Sequence, residues 1–137
     1  KLLQKAKDLS LHNIRIIHDD AKNIISGMIY DASLAGIHIF FPDPWPKKKH
    51  HKRRLLTFDF LIKLEKKLRR DGYIHIVTDW EEYGDSIETN IKLIDNLELN
   101  ATRQKGIIKS RPQTKFERRG LDQGNRVREI VVFKKIS

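Results

Sequence analysis

An α/β fold with a largely parallel sheet is the class this sequence predicts. Three observations carry that prediction. Hydrophobic periodicity switches between two and about 3.6 along the chain, so strand-like and helix-like segments alternate. The run Ile37-His38-Ile39-Phe40-Phe41 is nearly continuous in apolar residues, as in a buried parallel strand. The segments then follow in the order strand, helix, strand, helix, strand, helix, strand, loop, strand, which layered α/β architectures generate.

Each element has a local reason. Residues 1–8 read as the end of a helix. Ile14–His18 alternates as a strand, and Asp19-Asp20 lead into a helix from about Ala21 to Tyr30. Its positions Ala21, Ile24, Ile25, Met28 and Ile29 form one apolar stripe. Gly36 breaks the chain before the strand Ile37–Phe41, and a loop Pro42–Arg54 follows. Thr57 can cap a helix running to about Arg70, with Phe60, Leu61, Leu64 and Leu68 inward and Asp71-Gly72 ending it. Tyr73–Thr78 is rich in β-formers; Tyr83, Ile87, Ile91 and Ile94 mark another helix. Leu97–Thr102 and Val127–Lys135 read as strands flanking a basic loop. They lack an intervening helix and are expected to pair antiparallel.

The 137 residues make one domain by length. Cysteine is absent, which excludes disulfides, thiolate catalysis and cysteine-based zinc sites. No apolar run approaches the roughly 18 residues of a membrane helix, and the opening Lys1-Leu2-Leu3-Gln4-Lys5 lacks a secretory pattern. A soluble cytoplasmic protein with no membrane partner is the expectation. Lys1 in place of Met points to a processed or truncated chain.

Charge is the strongest compositional signal. Lys and Arg number 28 against 18 Asp and Glu, a net +10. Six of those cations (Lys47, Lys48, Lys49, Lys52, Arg53 and Arg54) fall within eight residues, around His50 and His51. A looser basic stretch runs from Arg103 to Arg119. Two such segments suit a polyanion, because cations on phosphates release counterions. A localisation signal, an anionic membrane surface or a plain solvated surface fits an isolated basic run as well. His50-His51 could ligate a metal, but cationic neighbours oppose it and no second ligand cluster is evident. No metal is expected.

In open α/β sheets, ligands bind beyond the carboxyl ends of strands. That rule selects Asp19-Asp20, Pro42–Trp45 and Asp79-Trp80. In Pro42-Asp43-Pro44-Trp45-Pro46, three prolines fix φ and suppress backbone pairing, so Asp43 stands on a stiff turn beside Trp45. A carboxylate beside a flat ring suits a purine that stacks and donates N–H groups, as guanine does; a proline-rich turn with a packed Trp is the alternative. Trp80 is open between core packing and lining the site.

The thirteen residues Pro42–Arg54 resemble the signature of the bacterial tRNA (guanine-N7-)-methyltransferases. Asp20-Ala21, Thr78-Asp79-Trp80 and Thr114-Lys115-Phe116-Glu117-Arg118-Arg119-Gly120 resemble three further motifs of that family, in order. The resemblance implies a Rossmann-like fold dependent on S-adenosylmethionine (SAM). It also implies methyl transfer to N7 of a variable-loop guanine in tRNA. By resemblance, Asp43 is the catalytic aspartate and, with Asp20, touches the cofactor. Lys47, Asp79, Thr114, Lys115, Phe116 and Glu117 would bind substrate. Lys49, His50, His51, Lys52, Arg53 and Arg54 would contact the RNA, with His50 and Arg53 foremost for activity.

Two departures stand out. The family's glycine-rich turn after its first strand has no counterpart, since no two of the seven glycines have Gly-x-Gly spacing. The chain therefore reads as a partial methyltransferase domain: a fragment, a truncated product or one piece of a split enzyme. A missing N-terminal segment or a homodimer partner would complete it. A non-catalytic tRNA-binding fragment is the alternative function. The second departure is local: Glu129-Ile130 stands where the family usually has Asp-Leu.

Overall fold

The computed structural model describes residues 1–112 and 126–136. Its elements are α1 (Leu2–Asp8), α2 (Ala21–Gly27), β1 (Leu34–Phe40), a 3₁₀ helix (Lys48–Arg53), α3 (Phe58–Lys67), β2 (Leu68–Thr78), α4 (Glu81–Lys92), β3 (Leu97–Leu99), α5 (Ala101–Ser110) and β4 (Arg128–Lys134). The sheet order is β1-β2-β4-β3. β1 and β2 run parallel; β4 is antiparallel to both β2 and β3.

The two faces of this sheet differ in chemistry. On one face the register aligns Ile37 with Ile74, Ile39 with Ile76, Ile74 with Val132 and Ile76 with Ile130. Helices α3 and α4 lay Phe60, Leu61, Leu64, Tyr83, Ile87 and Ile91 onto that aliphatic layer, all buried. Each such side chain contributes roughly 1.5–3 kcal/mol by leaving water. The other face aligns His38 with His75, Gly36 with Tyr73 and Tyr73 with Phe133. There the Tyr73 hydroxyl and His38 Nε2 share a 2.8 Å hydrogen bond. A Cβ on Gly36 would meet the Tyr73 ring at 2.5 Å, so that glycine makes room for the tyrosine.

Several sequence expectations need correction. Ile14–His18 is irregular, with Ile16 and Ile17 nearly half exposed. A strand needs a hydrogen-bonding neighbour, and this segment pairs with none of the described strands. Parallel pairing among the described residues is thus confined to β1 and β2. Helix α2 ends at Gly27, short of Tyr30. Thr57 does cap α3, its hydroxyl accepting from Phe60 N at 3.3 Å, but the helix stops at Lys67. Asp71, with φ 65°, and Gly72 lie inside β2, where the pairing with β1 shifts register. The strand expected over Leu97–Thr102 is only three residues long. Asn100 instead caps α5, its Oδ1 accepting from Thr102 N and Arg103 N at 3.1 and 3.0 Å. A helix therefore occupies the first part of the expected loop, although β3 and β4 still pair antiparallel.

Candidate active site

The carboxyl ends of β1 and β2 adjoin, because Phe40 pairs with Val77 in parallel register. Asp43 lies just beyond the first end and Asp79 just beyond the second. The turn leaving β1 is held in rare backbone conformations. Phe41 has φ 53° and Trp45 φ 41°, both in the left-handed region that bulky residues avoid. Such residues cost of order 1–3 kcal/mol each and persist only where surrounding bonds over-determine them. Here Phe41 N donates to Val77 O at 2.7 Å, and Asp43 Oδ1 accepts from Trp45 N at 3.0 Å. Asp43 itself is exposed, while Trp45 is half-buried.

Beyond the turn the basic segment forms the 3₁₀ helix. His50 N donates to Lys47 O at 2.8 Å. Lys47, Lys48, Lys49, Lys52 and Arg53 are exposed, and His50 and His51 are half-buried. His51 Nε2 lies 3.3 Å from Pro46 O. The Trp45 ring is flanked by the edge of His50, 5.8 Å between centroids, and by the Arg53 guanidinium at 5.2 Å. A cation thus already stacks on the ring expected to receive a base.

Arg54, expected on RNA, is turned inward. Its side chain is only 4% exposed. Nε donates to Pro44 O at 2.7 Å, and Nη1 and Nη2 donate to Glu82 Oε1 and Oε2 at 3.3 and 2.5 Å. The guanidinium also lies over Tyr83, 4.6 Å from the ring centroid. The Arg54 hydrogen bond holds the Glu82 carboxyl below its ordinary range. Sequence reasoning missed Glu82 and Tyr83 as partners of this loop, and no local motif signals a contact across 28 residues.

Asp20 is also placed differently from expectation. It is the N-cap of α2, its Oδ1 accepting from Lys22 N at 2.8 Å, and it follows an irregular segment rather than a sheet strand. Asp79 is half-buried; Trp80 is 41% exposed and begins α4, its N–H donating to Thr78 Oγ1 at 3.1 Å. Thr114, Lys115, Phe116 and Glu117 lie outside the described residues.

Comparison with known proteins places this arrangement. A family model described as "Putative methyltransferase" matches residues 1–130. The chain belongs to this methyltransferase family. It is 47% identical over 135 residues to a tRNA (guanine-N(7)-)-methyltransferase of Neisseria meningitidis, covering 98% of this chain and 56% of that protein. A tRNA (guanine-N(7)-)-methyltransferase of Methylobacillus flagellatus is 43% identical over 134 residues, with the same coverage. The chain spans about half the length of the curated relatives it matches. A crystal structure of a SAM-dependent O-methyltransferase from Thermotoga maritima superposes with TM-score 0.51 at 14% identity. It covers 96% of this chain and 44% of that protein, and it supports the Rossmann-like fold.

The family's methyl donor is a sulfonium cation, and the residues present suit its reactive end. Asp43 offers an exposed carboxylate on a turn fixed at the sheet's carboxyl edge. Asp20 is exposed at the start of α2, with Oδ1 accepting the one cap bond from Lys22 N and Oδ2 open. Among the described residues no cluster of three metal-ligating side chains occurs, and no helix is long and apolar enough to cross a membrane.

Proposed function

We propose that this chain takes part in methyl transfer from SAM to N7 of a variable-loop guanine in tRNA. The observation that carries the reading is the Asp43 turn. It is a hydrogen-bonded carboxylate between the strained Phe41 and Trp45 at the strand end, followed by a basic 3₁₀ helix. Bound SAM supplies an activated methyl group. Guanine N7 has an in-plane lone pair, so the chain need not provide a strong base. Its residues act by positioning and electrostatics. Asp43 favours the positive charge that the purine gains, and Asp79 stands at the neighbouring strand end to hold substrate, together with Lys47. Thr114, Lys115, Phe116 and Glu117 complete the substrate contacts. Lys49, His50, His51, Lys52 and Arg53 track the RNA backbone. A tRNA substrate would put this work in the cytoplasm. Asp20, exposed at the start of α2, is the second residue proposed to touch the cofactor.

The second reading, tRNA binding without transfer, rests on the exposed cations of the 3₁₀ helix, which need no cofactor. Incubating the chain with labelled SAM and unmodified tRNA separates the two. The expected result is label at guanine N7 that disappears in Asp43→Ala, while tRNA affinity stays within about threefold. No label from a chain that still binds tRNA would establish the second reading. Equal affinity for tRNA and duplex DNA at matched salt would overturn both.

A further inference from the structure

Adjacent arginines in the basic segment face opposite ways. Arg53 is exposed over Trp45, while Arg54 turns beneath the turn it follows. We infer that Arg54, clamped by Glu82, is a positioning residue that sets the Asp43 turn against the Asp79 strand end, and not a phosphate contact. This rests on the methyltransferase reading for what the position accomplishes; the clamp itself is independent of it.

Pro44 lies between Asp43 and the left-handed Trp45, and its carbonyl receives the Arg54 Nε–H. The same guanidinium is bidentate to Glu82, in the first turn of α4, three residues after Asp79. One side chain therefore ties the loop after β1 to the helix after β2. A second tie runs parallel to it, because Leu56 N donates to the Tyr83 hydroxyl at 3.0 Å beneath that guanidinium. A planar fork with donors in three directions makes this possible, and a lysine ammonium cannot reproduce it. Residues in such conformations hold only if their surroundings over-determine them, and Arg54 supplies a bond at the middle of the strained turn.

The test uses the full chain with Trp80→Phe, leaving Trp45 as the single tryptophan. Arg54→Lys and Glu82→Gln should each raise acrylamide quenching of Trp45 at least about twofold, with far-UV circular dichroism retained. The double variant should add little, because both changes open one clamp. The slope of log K against log salt for tRNA should stay at the parent value in Arg54→Lys and in Arg54→Ala. It should flatten by about 0.7–0.9 in Arg53→Ala, if that cation meets a phosphate. Where the parent transfers methyl groups, Arg54→Lys should lower kcat about tenfold or more with little change in KM for tRNA. Unchanged quenching in both single variants would overturn the clamp. A flattened slope in Arg54→Ala would return Arg54 to the phosphate contacts. A parent that transfers no methyl groups defeats the enzymatic reading alone, because the quenching result stands without it.

Discussion

The sheet's two faces are built from the same strands and obey different chemistry. The face under α3 and α4 is aliphatic and dry, with Ile74, Ile76, Leu61 and Leu64 at or below 1% exposure. The opposite face carries rings and charges. His38 and Phe40 are exposed on β1, and Tyr73 is half-buried on β2. Buried His75 bonds Glu129 Oε2 at 2.8 Å, and Arg111 bonds Glu129 Oε1 at 2.6 Å. Arg103 lies over Phe133 at 4.0 Å and Arg111 over Phe40 at 5.6 Å. The first face is held by area removed from water, which tolerates shape-conserving change. The second adds directional bonds to the burial of Val77, Val131 and Phe133, and such bonds fail when one partner is lost.

The comparison breaks most sharply at the aliphatic face. Leu61→Ala should cost about 2–5 kcal/mol, as buried leucine truncations do, read from urea unfolding. A loss under about 1 kcal/mol would mean that the helical layer is loosely packed. On the other face, Glu129→Ala should cost about 2–3 kcal/mol, because it removes the carboxylate shared by His75 and Arg111. Glu129→Asp tests whether reach matters, since the shorter side chain keeps the charge. Equal stability in Ala and Asp variants would show that charge without reach is worth nothing here, and wild-type stability in Asp would show that reach is not required.

Titration sharpens the contrast further. Burial penalises the His38 cation and nearby His75 adds to the effect, so His38 lies below its ordinary 6.5. At Glu129 burial pushes the carboxyl up, but the bonds from Arg111 and His75 outweigh it and leave it below 4.5. A depressed imidazole contributes fully above its unfolded value and loses stability as pH falls past about 6.5. A depressed carboxylate contributes above its unfolded value and loses stability as pH falls through its folded one. Both act in the same direction. Urea midpoints should drop from pH 7.5 to 5.5 and again below about 4.5, and His38→Gln should flatten only the upper step. A flat profile throughout would refute the coupling. The smallest effect belongs to Phe40→Ala, at about 1 kcal/mol or less, since that ring is 36% exposed.

Legibility followed the range of each signal. Thr57 announced its helix because a cap is a local hydrogen bond. The apolar stripe of α4 announced itself by period, and the strand at Tyr73–Thr78 by its β-forming residues. Ile14–His18 had the right period and still formed no strand, because a strand exists only through a neighbour. Helix α5 was hidden behind a basic composition that reads as loop, while the capping chemistry at Asn100 was missed. The placement of Asp43 and Asp79 beyond adjoining strand ends was legible because it follows from strand order alone. The inward turn of Arg54 was not legible, because its sequence neighbours are cations on a solvated helix and its partners Glu82 and Tyr83 lie on another element.

By itself, the sequence determined the α/β class, the proline-stiffened aspartate turn and the concentration of positive charge after it. Those depend on backbone restriction, periodicity and composition, all of which act over a few residues. Only the tertiary structure decided which cations face solvent. It also decided that Ile14–His18 stays out of the sheet and that one sheet face joins His75, Glu129 and Arg111. Burial and pairing are properties of distant residues brought together, and adjacent arginines with the same chemistry can be assigned opposite work by what folds against them.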